Sequence, residues 1–513
     1  MKNICLHFSV HQPFRLRTYR FFDIGVDHYY YDDFANKSTA LTLAKRCYVP
    51  MNNLLLSLIN ANKKAFKVSF SITGSALEQF ELYTPEVIEG FKKLAKTGCV
   101  EFVTEVDTHS LISVTNNVDE LTKQINDNAE KIKALFGQET KIFKNTGLVY
   151  SDELGAQLAS LGFQGVLAEG AEQILGWKSP NFVYCCDKNP RLKILLRNFK
   201  LSDDISLRFS NQGWNEWPLT AEKYVAWVLS SLEKEEVVNL FMNYKSFGEY
   251  NKAESGIFDF FSAFVSMIAA NKNVAFATPS EIVKSTQPIS VLSVPQYTSN
   301  ADEERDLSAW LGNNLQKQAF ETINSLQRLV RAVNDPELTM DWDRLQACEN
   351  LDYMSTKYFN HEKVSSPYQT PYEAFINYMN IVSDFAERLN KAPMSTKFGT
   401  LTKEELEAEI AKHEEILKVL TDAKKKQKEV KTVAKKSAVK TATKSTAKKA
   451  EPKTVKSTKK VEPKAEKAVK TVASKTTKKT ATEKKAAVKK SATKTTVVKK
   501  TATKTTTKKT TKK

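Results

Sequence analysis

The stretch KNICLHFSVHQPF, residues 2–14, contains a continuous apolar run at Ile4–Val10 that ends in the polar triplet His11-Gln12-Pro13. Similar short runs recur downstream. Because they are apolar throughout rather than alternating, they are typical of strands buried on both faces of a parallel sheet. The other predicted strands lie near Lys67–Ile72, Val100–Thr104, Lys141–Asn145, Gly165–Ala168, Lys193–Arg197, Val237–Met242 and Asn273–Ala277.

Amphipathic helical patterns separate these runs. In TPEVIEGFKKLAKTG, residues 84–98, Thr84 can cap the helix, Pro85 suits its first position and Gly98 can end it. Regular alternation of strand and helix indicates an α/β fold with a parallel sheet. Seven or eight such units favour a closed barrel over an open sheet.

The pattern changes near residue 302, where long amphipathic segments predict helices. We therefore expect three regions: a barrel over 1–295, a helical region over 296–421 packed on the barrel, and a disordered tail over 422–513. The segment EELEAEIAKHEEILKVL is expected to close the helical region. The tail consists mainly of Lys, Ala, Thr, Val and Ser, and it lacks the apolar content that would offset chain entropy.

Charge is divided unevenly along the chain, whose formal net charge is +18. The tail holds about 33 lysines against about 6 acidic residues, so it carries about +27 and residues 1–421 about −9. A lysine-rich tail without aromatic residues suits nonspecific binding of nucleic acid or another polyanion. A tail that only improves solubility is the alternative.

Cysteine spacing and hydropathy favour a cytoplasmic protein. The six cysteines are scattered without a CxxC pair, which fits reduced thiols, and no stretch approaches the length of an apolar membrane span. The spacing of His, Cys, Asp and Glu predicts no metal site, and no cofactor is expected.

Polar residues follow the predicted strands. In a parallel barrel these positions meet on one rim, where functional residues gather. Because loop ends are commonly polar, the set carries more weight than any single member. The residues in question are His11 and Gln12, Glu105 and His109, Gly147, Glu169, Asp203 and Asp204, and Asn243 with Lys245.

Five ordered segments resemble the signatures of glycoside hydrolase family 57, α-amylase type. They are HQPF (11–14), GCVEFVTEVDTHSL (98–111), FKNTGLVYSDELG (143–155), FMNYKSFGEY (241–250) and ADEERDLSAWLGN (301–313). The resemblance spans nearly all of residues 1–421. It implies a distorted (β/α)7 TIM-like barrel with a following helical region, and retaining chemistry on α-glucans such as starch or glycogen.

The two catalytic positions of that family are altered here. The resemblance places the nucleophilic glutamate at Gly147 and the acidic aspartate at Asn243. Glycine has no side chain to attack the anomeric carbon, and an asparagine amide cannot act as a proton-donating acid. The family also commonly has Glu at Lys245. Hence no catalytic carboxylate is intact at its family position.

The remaining signature residues still suit sugar binding. Imidazoles bind hydroxyl groups, and the apolar face of a sugar stacks on flat aromatic rings. A structural role in the barrel or its core is the alternative for each residue. The predicted substrate-binding residues are His11, Gln12, Glu105, His109, Trp177, Asp204, Trp214 and Trp310.

Three functions remain open. The first is an α-glucan-binding protein with impaired or no hydrolysis. The second is an active retaining α-amylase or 4-α-glucanotransferase that uses displaced carboxylates, for which Glu105, Glu169, Asp204, Glu216 and Glu249 are candidates. The third is a polyanion-binding or DNA-binding protein in which the barrel serves as a scaffold.

Overall fold

The computed structural model describes residues 2–62, 65–357 and 366–393. Each predicted apolar run contains a strand in this structure. The strands are β1 (Lys2–Val10), β2 (Val68–Ile72), β3 (Val100–Val103), β4 (Ile142–Lys144), β5 (Gly165–Glu169), β6 (Val183–Cys186), β7 (Lys193–Arg197), β8 (Val237–Asn243), β9 (Val274–Phe276) and β10 (Ser290–Leu292).

Seven of these strands close into a distorted barrel. One parallel sheet runs in the order β3-β2-β1-β8, and a second sheet contains β7-β5-β4 with parallel neighbours. The sheets meet at two seams. Thr104, just after β3, bridges Phe143 of β4, and the Asn198 N–H after β7 donates to Asn239 O of β8 at 2.9 Å. The fold is therefore an α/β barrel of the distorted (β/α)7, TIM-like kind.

Sequence reasoning missed β6 and β10. Strand β6 pairs antiparallel with β7 and parallel with β10, outside the closed ring, while β9 pairs with the start of β1. Three-residue β10 is too short for periodicity to reveal. No helix lies between Val183–Cys186 and β7, which follows it in the chain and runs antiparallel to it. This hairpin departs from the strand–helix alternation.

Helices surround the barrel and continue after it, with short 3-10 and π turns between them. Thr84 precedes the helix at Pro85–Ala95 as predicted, although its side chain makes no capping hydrogen bond. The helices are α1 (Asp33–Leu43), α2 (Val49–Ala61), α3 (Gly74–Tyr83), α4 (Pro85–Ala95), α5 (Val118–Phe136), α6 (Asp152–Ser160), α7 (Glu172–Leu175), α8 (Phe199–Asp203), α9 (Ala221–Leu232), α10 (Ile257–Ala269), α11 (Pro279–Ser285), α12 (Ser308–Leu311), α13 (Asn314–Ser325), α14 (Gln327–Val333), α15 (Pro336–Leu345), α16 (Glu349–Asp352) and α17 (Pro371–Lys391).

Helices α12–α17 have a core of their own, centred on the fully buried Trp342. This core includes Tyr19 and Tyr30 from the long loop after β1, and the Tyr30 hydroxyl donates to Asp384 at 2.6 Å. The loop thereby joins the helices to the barrel. Residue Glu349, at the start of α16, is carried by these contacts to the rim where the barrel strands end.

The chain divides into two units, residues 1–402 and 403–513. The second unit contains the predicted tail at 422–513 and the whole of the predicted closing helix at 404–420, and it lies outside the described residues. The six cysteines all lie within the described residues, where each is buried and forms no disulfide. Among the described helices, none is both long and apolar enough to cross a bilayer.

Candidate functional site

A cavity of about 250 Å³ opens at the carboxyl ends of the barrel strands. Its walls come from the ends of β1 and β8, from the loops after β3 and β4, and from α12 and α16. Functional residues of parallel barrels are found at this face. The cavity therefore lies where the sequence predicted a site, and the helical region supplies part of its wall.

Gly147 faces this cavity in a tight turn after β4. Its backbone is left-handed, with φ of 53°, and its carbonyl accepts a hydrogen bond from the Asn300 N–H at 2.9 Å. A Cβ built on Gly147 would overlap Cη2 of Trp310 and lie 3.1 Å from its Cζ2. The indole of Trp310 thus fills the space that a side chain at 147 would need.

Asn243 lies across the cavity at the end of β8. Its Oδ1 accepts the Lys245 N–H at 3.0 Å and caps the short turn that follows. The amide is therefore used locally as a capping acceptor. We call Gly147 and Asn243 together the reacting edge.

His11 and His109 stack face to face in the cavity wall, with ring centroids 3.7 Å apart. The Glu349 carboxylate contacts both: Oε1 is 2.9 Å from His11 Nε2 and 3.3 Å from His109 Nδ1. Burial lowers the pKa of His11 to about 3, although the nearby Glu349 carboxylate opposes this shift. The two histidines hold the pKa of Glu349 well below its usual range although burial opposes them.

A buried set of charges flanks the reacting edge. We call it the charged wall, and it has two parts. In the first, Lys144 Nζ pairs with Glu105 Oε2 at 2.9 Å, and both side chains are almost fully buried. Lys144 also lines the cavity, whereas Glu105 lies behind it.

The second part of the charged wall is built around Arg197 at the end of β7. Its guanidinium pairs with Asp203 and lies 3.5 Å from Glu169, while its Nε donates to Phe241 O of β8 at 2.8 Å. Arg305 approaches the same two carboxylates at 3.7 Å. Burial raises the pKa of Glu169 to about 7, although both arginines lower it.

Several buried polar atoms that belong to cavity-lining residues lack a hydrogen-bond partner among the described protein atoms. Besides His11 Nε2, which lies 2.9 Å from Glu349 Oε1, they are Gln12 Nε2 and Oε1, Arg15 Nη1 and Trp310 Nε1. Buried polar groups of native proteins are almost always paired, and an unpaired one costs about 1–3 kcal/mol. Such a set of donors and acceptors suits a ligand that carries hydroxyl groups.

Comparison with known proteins identifies the family. The model of Glycosyl hydrolase family 57 matches residues 5–295. A Methanocaldococcus jannaschii protein described as "Putative alpha-amylase" is 36% identical over 413 residues, which cover 77% of this chain and 86% of that protein. The chain belongs to glycosyl hydrolase family 57.

Solved structures with the same fold are consistent with this family 57 assignment. A family 57 branching enzyme from Thermococcus kodakaraensis aligns with a TM-score of 0.56 at 12% identity, covering 79% of this chain and 93% of that one. The α-amylase AmyC from Thermotoga maritima aligns with a TM-score of 0.51 at 12% identity, covering 79% and 96%. At these identities the likeness concerns the fold.

The structure brings part of the predicted family 57 site together. His11, Gln12, His109 and Trp310 line the cavity beside Gly147 and Asn243. The assignment of these four residues to substrate binding stays a prediction. His109 has a left-handed backbone, with φ of 55°, which is uncommon outside glycine and is concentrated at functional sites.

The other four predicted binding residues do not line the cavity. Glu105 forms an ion pair with Lys144, and Asp204 forms one with Arg208 at 2.6 Å. Trp214 packs against the barrel core, whereas Trp177 is 92% exposed. Their positions beside family motifs suggested the cavity, but Glu105 lies behind its wall, and the segments after β5 and β7 place the other three outside the lining.

Sequence reasoning missed Glu349 and Arg15. Glu349 lies more than 200 residues from His109 in sequence, in a helix outside the family signatures, so neither spacing nor motif could reveal it. Arg15 directly follows HQPF and could have been included as a neighbour of that motif. The absence of ligand spacing had also predicted no metal site, yet His11, His109 and Glu349 gather atoms of the kind that hold metal ions.

Proposed function

We propose that this family 57 protein binds α-glucan in the cavity and does not hydrolyse it by the family's retaining mechanism. The proposal rests on one observation: a cavity at the strand ends whose buried Gln12, Arg15 and Trp310 atoms have no hydrogen-bond partner within the described residues. Sugar hydroxyls can donate to and accept from such atoms. The indole of Trp310 offers an apolar surface as well.

The loss of hydrolysis follows from the reacting edge. Retaining hydrolysis requires two carboxyl groups about 5–5.5 Å apart, one as nucleophile and one as acid. Neither Gly147 nor Asn243 supplies one. Since Trp310 occupies the space beside Gly147, the nucleophile position is physically blocked in addition to lacking its side chain.

Displaced carboxylates are the rival explanation, and most candidates are engaged elsewhere. Glu105, Glu169 and Asp204 are held in ion pairs, and Glu216 pairs with Lys223. Glu249 is the candidate from this set that lines the cavity. The rival therefore predicts that Glu249→Gln abolishes any turnover of amylose.

The proposal is tested by titrating maltoheptaose into the full chain by calorimetry, with release of reducing sugar from amylose measured in parallel. We expect saturable binding without turnover above blank. Gln12→Leu should weaken binding about 10-fold or more while leaving thermal stability unchanged or higher, because the removed polar atoms have no hydrogen-bond partner in the part of the chain that the structure describes.

Trp177→Ala is the matched control, since that indole is exposed and lies outside the cavity lining. It should bind like the unaltered chain. Turnover that disappears in Glu249→Gln would support the rival explanation and contradict the proposal. A Gln12→Leu variant that binds maltoheptaose normally would show that the cavity is not the binding site.

The lysine-rich segment 422–513 supports a second, separate activity. Its charge of about +27 favours nonspecific polyanion binding through release of counterions. We expect the full chain to bind duplex DNA with an affinity that falls steeply with salt, and a chain ending at residue 421 to lose most of it. Equal affinities for the two chains would exclude the segment as the binding element.

A further inference from the structure

His11, His109 and Glu349 bring three possible metal-ligand atoms close together. Three ligand atoms, one from each side chain, lie within 4.8 Å of one another. Glu349 Oε1 is 2.9 Å from His11 Nε2 and 3.3 Å from His109 Nδ1. In tetrahedral zinc sites, metal–ligand distances of about 2.0–2.1 Å place neighbouring ligand atoms about 3.3 Å apart.

We propose that His11, His109 and Glu349 form a binding site for one divalent transition-metal ion of the zinc class. Two imidazoles and one carboxylate are a common ligand set for such ions, and three protein ligands leave a fourth position open. All three residues line the cavity, so the open position would face it. The site would carry a net charge of +1 with neutral histidines.

The three ligands are held in place from outside the cluster. His11 Nδ1 contacts the Thr73 hydroxyl at 2.9 Å, which leaves Nε2 directed at Glu349. The carbonyl of His109 accepts the Cys348 N–H at 3.1 Å, which ties the two ligand-bearing loops together. Outer contacts of this kind orient metal-binding histidines and fix their tautomer.

The backbone at His109 supports the same inference. Its left-handed φ of 55° costs energy for a residue with a side chain, and such strain persists where the surrounding structure imposes it. The imidazole stacks on His11 with ring centroids 3.7 Å apart, so a shared ion requires one ring to rotate until both nitrogens face it. The ligands come from the end of β1, the loop after β3 and the start of α16, so they meet only in the folded chain.

This proposal goes beyond α-glucan binding and is measured without any sugar. The full chain is stripped with a chelator and titrated with Zn²⁺ by calorimetry, and bound metal is counted by mass spectrometry after desalting. We expect about one zinc per chain and a rise in thermal midpoint with zinc concentration, because an ion that binds only the native state stabilises it.

Glu349→Gln should weaken zinc binding about 100-fold or more, since even outer contacts of a metal site are worth about 10–100-fold. The matched control is His28→Ala. His28 Nδ1 also contacts a carboxylate, Asp384, at 2.9 Å, but this pair lies outside the cavity lining. It should leave zinc binding unchanged.

Should Glu349→Gln fail to fold, His109→Gln and the zinc-dependent thermal shift of the unaltered chain answer the same question. Binding that is equal in the unaltered chain and in a folded ligand variant overturns the proposal, as does an unaltered chain that retains no zinc. Either result leaves the maltoheptaose titration intact, so the two proposals fail separately.

Discussion

The reacting edge and the charged wall face the same cavity, yet the chain treats them in opposite ways. At the reacting edge, Gly147 and Asn243 carry no ionisable group. In the charged wall, the Lys144–Glu105 pair and the Arg197 cluster place ionisable side chains in almost complete burial. Buried ion pairs are weak evidence for stability but become costly when one partner is removed. The framework beside the cavity thus contains buried ionisable groups, although the two family catalytic positions contain none.

The largest effect should come from breaking the Lys144–Glu105 pair. Lys144→Met leaves the Glu105 carboxylate buried without its cation, which should lower the free energy of unfolding by about 3–5 kcal/mol in denaturant titrations. Removing both charges, as in Lys144→Met with Glu105→Leu, should recover most of that loss.

The exposed pair Lys133–Glu139 is the matched control. Lys133→Met should change the free energy of unfolding by less than about 1 kcal/mol, because solvent screens surface pairs. If Lys144→Met and Lys133→Met lower the free energy of unfolding equally, burial does not make the Lys144–Glu105 pair more important for stability than an exposed pair.

The next effect concerns pH and Glu169. Burial raises its folded pKa to about 7 from an ordinary value of 4.5. Between these pH values the folded state keeps a proton that the unfolded state releases, so this group makes stability fall as pH rises. The full difference is about 3 kcal/mol, at about 1.4 kcal/mol for each pKa unit.

Glu169→Gln should remove this fall. The measurement is the free energy of unfolding of both chains from pH 4 to pH 8, compared as the difference between them at each pH. A difference that stays constant across this range would show that Glu169 has the same pKa in the folded and unfolded states, which would contradict the raised folded pKa.

Gly147→Ala should cost less, about 2–3 kcal/mol. About 1–2 kcal/mol comes from placing a side chain on a left-handed backbone, and the rest from overlap with Trp310. Calorimetric melting of a double-mutant cycle with Trp310→Ala should show the second part disappear. Strictly additive effects would mean that the indole does not obstruct this position.

The same obstruction limits reconstruction of the catalytic pair. Gly147→Glu combined with Asn243→Asp should release no reducing sugar from amylose, because the new carboxylate cannot occupy the space held by Trp310. Turnover by this double variant would show that the indole moves aside.

The sequence predicted the barrel well because its signal is repeated. Every barrel strand is an apolar run followed by polar residues, so His11, His109, Gly147 and Asn243 could be placed on one rim. Glu349 could not, because a residue that reaches the cavity from a distant helix leaves no local pattern. Nor could the overlap of Trp310 with Gly147, which depends on how α12 packs against the turn after β4.

The smallest effect is expected for Asn243→Asp. A carboxylate oxygen can still accept the Lys245 N–H, so the free energy of unfolding should change by less than about 0.5 kcal/mol. Asn243→Ala, which removes the capping acceptor, should cost about 1 kcal/mol in the same denaturant titration. If the aspartate variant were as destabilised as the alanine variant, the added charge and not the lost acceptor would govern this turn.

If Asn243→Asp leaves the free energy of unfolding almost unchanged, the two positions of the reacting edge differ in how the fold accommodates a carboxylate. At position 243 the family's aspartate and the asparagine present here differ by one heavy atom, a carboxyl oxygen against an amide nitrogen. The surrounding turn would then accommodate either side chain. At Gly147 the backbone is left-handed and the neighbouring indole fills the space that a side chain would need. The proposed block to hydrolysis therefore lies in the backbone and packing at Gly147, and in a single functional group at Asn243.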